Sequence, residues 1–268
     1  MRVAVVQMNS QENKDANLRQ AESLIDSCVA AERPDLIVLP EVFTLMGENR
    51  DAKRLAAEDE GAGEAWKMLA DRAKCHGVHL HGGSVLEKAP GDKLYNTTYV
   101  FDPAGKQIAK YRKIHLFDVT TPDGQSYRES ASFEAGSEIV TYKVGAATVG
   151  CTICYDLRFP ELYQALAKKG ADVIMVPAAF TLQTGKDHWE VLLRARAIET
   201  ETYVVAAAQV GTHANGTRAC WGHSLIADPW GLVLARAQDG TGFASARLDF
   251  AYQRAVRGRI PVMEHKRL

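Results

Sequence analysis

The sequence has no excess of charge of either sign, because 32 Lys and Arg residues face 33 Asp and Glu residues and leave a formal charge of −1. Proteins that bind nucleic acid or anionic membranes usually carry a basic surplus, which attracts the phosphate groups of the partner. We therefore expect neither nucleic acid nor a membrane among the partners of this chain.

Long apolar runs are also missing, since none approaches the roughly 20 residues of a membrane span. The first residues, "MRVAVVQMNSQENKD", turn polar after eight positions, which is too soon for the core of a signal peptide. Cysteine is sparse and odd in number, with the five positions Cys28, Cys75, Cys151, Cys154 and Cys220. Such a set is typical of reduced thiols, so we expect a globular cytoplasmic protein without a disulfide framework.

What the sequence does contain is an alternation of short apolar runs with helical periodicity. The 268 residues fit one large domain spanning 1–268. The pattern predicts helices over Glu64–Cys75 and His188–Thr200, and a hairpin that turns at Asp102–Gly105. Buried runs flanked by helices, together with hairpins, predict an α/β fold in which two mixed sheets lie face to face under outer helices. The longest irregular stretch, Phe117–Glu138, is expected to be a functional loop.

Two cysteines three residues apart, in "GCTICYDLRFPEL", raise the question of a redox pair or a metal site. A strand that continues through Cys151 to Cys154 would point the two thiols to opposite faces, which disfavours a disulfide. A zinc site needs a second pair of ligands at similar spacing, and the sequence has none. The segment "CHGVHLH", with His79 and His81, would supply only half a site, so we expect no metal.

Other common catalytic signatures are incomplete or absent. The segments "GGSVL" and "GHSLI" both lack the last glycine of G-x-S-x-G, and "GAGEAW" lacks the last glycine of G-x-G-x-x-G. No Walker loop and no H-E-x-x-H occurs in the sequence. Nucleotide-dependent and zinc-dependent hydrolysis are therefore not indicated.

The remaining candidate is Cys154, which we place at the end of a strand, before a polar turn and a helix. Two other predicted strand ends carry a charge among apolar residues, Glu41 in "LPEVF" and Lys113 in "YRKIHLFD". A partly buried carboxylate is suited to act as a general base. An inward lysine needs a carboxylate partner, because an unpaired buried charge costs several kcal/mol. Thiol, carboxylate and ammonium together indicate a hydrolase that uses no histidine.

At these residues the sequence resembles the nitrilase (carbon–nitrogen hydrolase) superfamily. The motifs that carry the resemblance are "LPEVF", "YRKIHLFD", "ES-x-x-F-x-x-G" at Glu129–Gly136, "GCTICYDLRFPEL" and "HWEVLLRARAIET". Their order and local context agree together, and they extend over essentially the whole chain. The resemblance implies a four-layer α–β–β–α sandwich, in agreement with the layers expected above, and a homodimer or a higher homo-oligomer.

The resemblance also implies a role for each residue of the site. Cys154 would be the nucleophile that attacks an amide carbonyl, and Glu41 would be the general base. Lys113 and the backbone N–H of Tyr155 would stabilise the oxyanion. Glu129 would be the second glutamate of the family, which holds the lysine and borders the substrate. No cofactor is implied, because thiol, carboxylate and ammonium complete the reaction.

Within the family, the C-terminal half resembles most closely the amidases that cleave deaminated glutathione into 2-oxoglutarate and cysteinylglycine. Arg158 is our candidate for binding the carboxylate beside the keto group, with a structural ion pair to Asp156 or Glu161 as the alternative. Phe180 and Thr181 are expected to form a pocket wall. The alternatives left open are an ω-amidase acting on 2-oxoglutaramate, another aliphatic amidase, and an inactive scaffold protein on the same fold.

Overall fold

Two mixed β-sheets lie face to face at the centre of the computed structural model, which describes residues 1–121 and 124–267. The strands, in chain order, are β1 Arg2–Gln7, β2 Leu36–Val38, β3 His79–His81, β4 Val85–Lys88, β5 Leu94–Phe101, β6 Gln107–Arg112, β7 Asp118–Thr120, β8 Ser126–Arg128, β9 Thr141–Val144, β10 Ala147–Cys151, β11 Val173–Ala178, β12 Tyr203–Ala208, β13 Val210–His213, β14 Arg218–Trp221, β15 Leu225–Ala227, β16 Val233–Arg236 and β17 Gly242–Arg247.

The first sheet has the order β17-β1-β2-β3-β5-β4, with β6 paired to β5, and the second has the order β16-β15-β12-β11-β10-β9. Each sheet combines parallel and antiparallel neighbours, since β1 is parallel to β2 and antiparallel to β17. Two short hairpins, β7–β8 and β13–β14, stand outside the large sheets. Strand–helix–strand connections join the parallel strands at the centre of each sheet, which are β1, β2 and β3 in the first and β10, β11 and β12 in the second.

Helices cover the outer faces of both sheets, and their bounds are α1 Lys14–Glu32, α2 Arg50–Ala56, α3 Glu64–His76, α4 Pro160–Lys168, α5 Leu182–Thr200, α6 Phe250–Arg259 and α7 Val262–His265. Helices α1 and α3 pack on the first sheet, and α4 and α5 pack on the second. The α–β–β–α sandwich expected from the sequence is thereby confirmed. Among the described helices, none combines the length and the apolar character needed to cross a bilayer.

The alternation of side chains along β1 explains why this strand is apolar from Val3 to Val6. Val3 and Val5 belong to the core between the two sheets, whereas Ala4 and Val6 face the layer of α1 and α3. Because successive side chains of a strand point to opposite faces, a strand covered on both sides must be apolar at every position. The buried runs that the sequence shows are therefore the central strands of a layered structure.

Helix α5 begins at Leu182, six residues before the start expected at His188, so the predicted start is wrong. The early part of this helix contains Gly185, which ordinarily disfavours a helix interior. Here a Cβ on Gly185 would lie 2.2 Å from the Cβ of Trp221, so only glycine allows β14 to pack this closely on the helix. Tertiary packing thus overrides the local preference.

The sequence predicted that the stretch Phe117–Glu138 is irregular, but part of it is regular. It contains the β7–β8 hairpin and a 3₁₀ turn over Glu129–Ala131. Positions 122 and 123 of this stretch lie outside the described residues. The strands have only three residues each, which is too short for the periodicity of a strand to be recognised in the sequence.

Candidate active site

Cys154 lies at a sharp change of chain direction between the second sheet and α4. Strand β10 ends at Cys151, not at Cys154 as expected, and Cys154 is the first residue of a 3₁₀ turn that ends at Arg158. The expectation was wrong because Cys154 has φ 47°, in the left-handed region that interrupts an extended run. A non-glycine residue held in this region stores strain of about 1–3 kcal/mol, which the surrounding structure must offset.

Asp156 supplies much of that support, although the sequence reading considered it only as a partner for Arg158. Its fully buried carboxylate accepts hydrogen bonds from the backbone N–H of Ile153 at 2.8 Å and from the hydroxyl of Tyr111 at 2.6 Å. The other carboxylate oxygen accepts the backbone N–H of His115 at 3.1 Å and lies 2.7 Å from the ring Nδ1 of that residue. Asp156 therefore ties the turn of Cys154 to the segment that carries Lys113.

Glu41 lies in the loop that follows β2, and backbone contacts hold this loop in place. The hydroxyl of Ser84 accepts the N–H of Val42 at 2.9 Å, and the side chain of Gln209 donates to the carbonyl of Glu41 at 3.0 Å. Gly83 has φ 56°, and a Cβ there would lie 2.1 Å from the carbonyl oxygen of Pro40. These contacts fix the loop and thereby hold the Glu41 carboxylate in the site.

Lys113 joins the two glutamates that the sequence singled out. Its Nζ donates to Glu41 Oε1 at 3.0 Å and to Glu129 Oε2 at 2.9 Å, and the lysine side chain is 2 % exposed. Burial opposes the charge of this lysine, but the Glu129 and Glu41 carboxylates outweigh burial and raise the pKa of Lys113 well above its ordinary value. The ammonium group is thus charged over the whole range in which enzymes usually operate.

Asn96, in the middle of β5, is a member of the site that sequence reasoning missed. Its Nδ2 donates to Glu41 Oε1 at 2.9 Å and approaches Glu129 Oε1 at 3.4 Å, so it bridges the same two carboxylates as Lys113. The signal that could have identified it is an amide in the predicted strand "LYNTTYVF", since a buried polar group requires partners.

The electrostatic surroundings of Cys154 favour the neutral thiol in the resting site. Burial and the nearby Glu41 carboxylate raise the pKa of Cys154 well above its ordinary value, while Lys113 and a backbone hydrogen bond from Ala179 oppose only part of this effect. Glu41 lies within hydrogen-bond reach of the thiol. The thiol therefore has a base beside it to which its proton can pass.

A pocket opens above these groups, and the other sequence-predicted residues line it. Tyr155, Arg158, Phe180 and Thr181 all contribute to its walls, together with Phe117. Among the described residues, the backbone N–H of Tyr155 donates to no acceptor, which leaves it available for an oxyanion. The structure thus brings every predicted site residue to one pocket.

Arg158 does not form the ion pair with Asp156 or Glu161 that was the alternative reading. Its guanidinium lies 5.3 Å from the centre of the Phe180 ring and its Nη1 lies 3.3 Å from the Nδ1 of His188. In the described part of the chain no carboxylate comes within ion-pair distance of Arg158. Arg158 therefore lines the pocket beside the Phe180 ring, with one of its nitrogens in contact with His188.

The thiol pair and the histidine cluster have other roles. Cys151 is a fully buried core residue and, like the four other cysteines, is a free thiol. His81 is buried, and its ring stacks on Tyr142 at 5.9 Å; burial lowers the pKa of His81 to about 3. The residues that the structure describes contain no cluster of three or more side chains suited to a metal ion.

Comparison with known proteins agrees with this geometry. The carbon–nitrogen hydrolase family model matches residues 2–258, and the chain belongs to that family. It is 42 % identical to a deaminated glutathione amidase of Synechocystis over 98 % of this chain and 97 % of that protein. It is 37 % identical to omega-amidase NIT2 of Danio rerio over 99 % of this chain and 94 % of that protein.

A solved structure supports the fold as well. The C. elegans NitFhit protein superposes with a TM-score of 0.92 at 37 % identity, and the match covers 99 % of this chain. The chain spans 65 % of that longer protein. The resemblance stated from the sequence is confirmed, and the protein is a hydrolase that acts on carbon–nitrogen bonds of amides.

Proposed function

We propose that the protein is a thiol-dependent amidase that hydrolyses deaminated glutathione to 2-oxoglutarate and cysteinylglycine. The observation that carries the chemical part is the buried Glu41–Lys113–Glu129 cluster beside Cys154 at the base of a pocket. The substrate is suggested by the relatives that carry the name of deaminated glutathione amidase.

In the first half of the reaction, Cys154 Sγ forms a bond to the amide carbon while the thiol proton passes to Glu41. The carbonyl oxygen becomes an oxyanion, which the Lys113 ammonium and the backbone N–H of Tyr155 stabilise. Removal of one such donor usually costs about 3–4 kcal/mol of transition-state stabilisation. Glu41 then gives its proton to the leaving nitrogen, the C–N bond breaks, and a thioester remains on Cys154.

In the second half, water attacks the thioester carbon and Glu41 takes the proton of the water. The same two donors stabilise the second oxyanion, the C–S bond breaks, and Glu41 returns the proton to the sulfur. Glu129 holds Lys113 in position through both halves, since its carboxylate accepts from Nζ and also from the backbone N–H of Phe117 at 2.6 Å.

The acyl part of the substrate carries a carboxylate beside the keto group, and Arg158 is proposed to bind it. A guanidinium that has no carboxylate partner in the described chain and lines the pocket is suited to this role, because it binds a carboxylate with two parallel hydrogen bonds. Phe180 and Thr181 form the wall beside it. The alternative substrate 2-oxoglutaramate shares this acyl part and is favoured only by the omega-amidase relative.

The test is to incubate the purified protein with deaminated glutathione, 2-oxoglutaramate and a simple nitrile while measuring the release of 2-oxoglutarate and ammonia. Cys154→Ala should abolish turnover, and Cys75→Ala, which removes an exposed thiol away from the site, should not. Faster turnover of 2-oxoglutaramate than of deaminated glutathione would assign an ω-amidase. Absence of turnover of all three, with Cys154 alkylated no faster than Cys75, would favour the scaffold reading.

We also infer that the protein forms a homodimer through the outer face of α5. Val191 and Ile198 on this helix are 66 % and 49 % exposed, and Trp230 and Leu232 on the adjacent β15–β16 turn are 55 % and 60 % exposed. The two elements are in contact, because Arg194 Nε donates to the carbonyl of Gly231 at 2.7 Å. A contiguous apolar surface of this kind is typical of an interface.

Two further features of the sequence reading remain proposals. We propose that residues 1–268 act as a single domain, because both large sheets contribute side chains to the core between them. We also propose a cytoplasmic location, which the five free cysteines support, since reduced thiols persist in a reducing compartment.

A further inference from the structure

The pocket is lined by more basic side chains than the Lys113 of the catalytic cluster. Four basic side chains line the pocket in addition to Lys113, and each comes from a different element: Lys53 of α2, Arg128 of β8, Arg158 of the turn after β10 and Arg218 of β14. Among the residues that the structure describes, the acidic ones lining the pocket are Glu41 and Glu129, both already bound to Lys113. In residues 1–121 and 124–267, none of the four forms an ion pair.

Two of these cations stand close enough to act on one another. Lys53 and Arg218 are both half-buried and line the same pocket. Burial and the charge of Arg218 lower the pKa of Lys53, and the carboxylates of Glu129, Glu48 and Glu12 oppose only part of this effect. The guanidinium of Arg218 lies 5.0 Å from the centre of the Tyr127 ring. Two like charges at one pocket repel one another, and an anion bound near both would offset that repulsion.

Lys53 and Arg218 belong to elements other than the turn that carries Cys154 and Arg158. Neither α2 nor β14 carries a catalytic residue, whereas Arg158 belongs to the same turn as Cys154 and lies over Phe180. Arg128 is exposed at the mouth of the pocket. The pocket therefore carries basic side chains both in the turn of the nucleophile and on elements that hold no catalytic residue.

We propose that Lys53 and Arg218 form a second carboxylate-binding subsite, which takes an anionic group on the leaving-group side of the scissile amide. This inference rests on the proposed function, in which the leaving group is cysteinylglycine with a C-terminal carboxylate. The subsite gives the enzyme a means to prefer an amide with a carboxylate at both ends over 2-oxoglutaramate, whose leaving group is ammonia. Lys53 and Arg218 would then determine this preference, whereas the catalytic cluster would act on both substrates alike.

The experiment compares two ligands that differ only at this carboxylate. Deaminated glutathione and its C-terminal glycinamide are titrated calorimetrically into the Cys154→Ala protein, which cannot turn them over. We expect the acid to bind about 10- to 100-fold more tightly than the amide, as for a charge-assisted contact. Lys53→Met combined with Arg218→Met should bring the two dissociation constants within about threefold of one another.

Two matched variants control for nonspecific effects of charge. Arg50→Met removes a positive charge from an exposed position of the same helix α2 that does not line the pocket, and should preserve the preference for the acid. Lys53→Arg keeps the charge and should preserve it as well. Equal affinity for both ligands in the Cys154→Ala protein, no binding of either, or a preference that survives the double substitution would each overturn the inference.

Hydrolysis by the protein with intact Cys154 keeps this result separate from the proposed function. If deaminated glutathione is not turned over although its acid form binds preferentially, the proposed function fails and the subsite stands. If acid and glycinamide are turned over with equal kcat/KM and bind equally, the proposed function stands and the subsite fails.

Discussion

Cys154 is a buried thiol whose pKa is raised, so its reactivity depends on the base beside it. Glu41→Gln leaves a side chain of the same shape that cannot take a proton. We expect kcat for the preferred amide to fall by about 10²–10⁴-fold, the usual contribution of positioned proton transfer. Glu134→Gln, at an exposed position, serves as the control and should leave kcat within about twofold of the unaltered protein. A fall of less than about tenfold in Glu41→Gln would contradict the assignment of the general base.

The pH dependence of the reaction reports on Lys113, whose folded-state pKa is raised above its ordinary value of 10.5. A raised pKa means that the ion pairs contribute fully to stability below 10.5 and that this contribution is lost only as pH rises through the higher folded value. We expect no loss of activity from Lys113 deprotonation up to about pH 10. Glu129→Gln removes one of the charges that raise the pKa of Lys113, while burial still lowers it. The pKa of Lys113 should therefore fall, and the alkaline limb of the kcat/KM profile should move to lower pH. An unchanged limb would show that Glu129 does not control the charge of this lysine.

Asp156 offers a prediction about positioning, because its carboxylate accepts the N–H of Ile153 just before the strained Cys154. Asp156→Asn replaces one acceptor oxygen by a donor and leaves a buried donor unsatisfied. We expect a loss of about 1–3 kcal/mol in the free energy of unfolding, measured with denaturant, together with slower alkylation of Cys154. Asp239→Asn, on a side chain that is 94 % exposed, is the control. Unchanged alkylation with reduced stability would assign Asp156 a purely structural role.

At the scale of elements, the loop that carries Glu41 depends on a close approach of two backbones. Gly83→Ala introduces a Cβ 2.1 Å from the carbonyl oxygen of Pro40, whereas Gly145→Ala places one in open space at nearly the same φ, 57° against 56°. Both changes carry the conformational cost of about 1–2 kcal/mol, but only the first adds a steric cost of about 1–3 kcal/mol. Thermal and denaturant unfolding should therefore separate the two variants. Only Gly83→Ala should also lower kcat, because the displaced backbone adjoins Glu41, and equal behaviour of the two variants would contradict this account.

Elements also show where local sequence patterns fail. Helix α5 begins six residues before the predicted start, and this early part contains Gly185, whose low helix preference is overridden by the close packing of Trp221. The β7–β8 hairpin was missed because its strands have three residues each. In the first case the stabilising contact lies far away in the chain, and in the second each strand is shorter than the roughly four residues over which alternation can be recognised.

For the whole molecule, the proposed homodimer predicts a response to charge on the outer face of α5. Val191→Asp places an unpaired carboxylate in the centre of the proposed interface, and we expect mostly monomers by light scattering coupled to size-exclusion chromatography. Leu55→Asp, at a position that is 88 % exposed on α2, is the matched control and should keep the oligomeric state. A monomeric unaltered protein, or a dimer that tolerates Val191→Asp, would contradict the proposed interface.

The layered α/β architecture and the candidates Glu41, Lys113 and Cys154 could be predicted from the sequence, because apolar strands covered on both faces and charges at strand ends are local patterns. The family and Glu129 were predicted from the resemblance of several motifs to known sequences. The sequence could not place Asn96 between two carboxylates or Asp156 against Tyr111 and His115, since those contacts join residues 33 to 55 positions apart. Only the tertiary structure decided that Lys53 and Arg218 share one rim, from elements 165 positions apart in the sequence. The physical reason is that local chain preferences act over a few residues, whereas burial, ion pairing and steric fit act between whatever the packed sheets bring together.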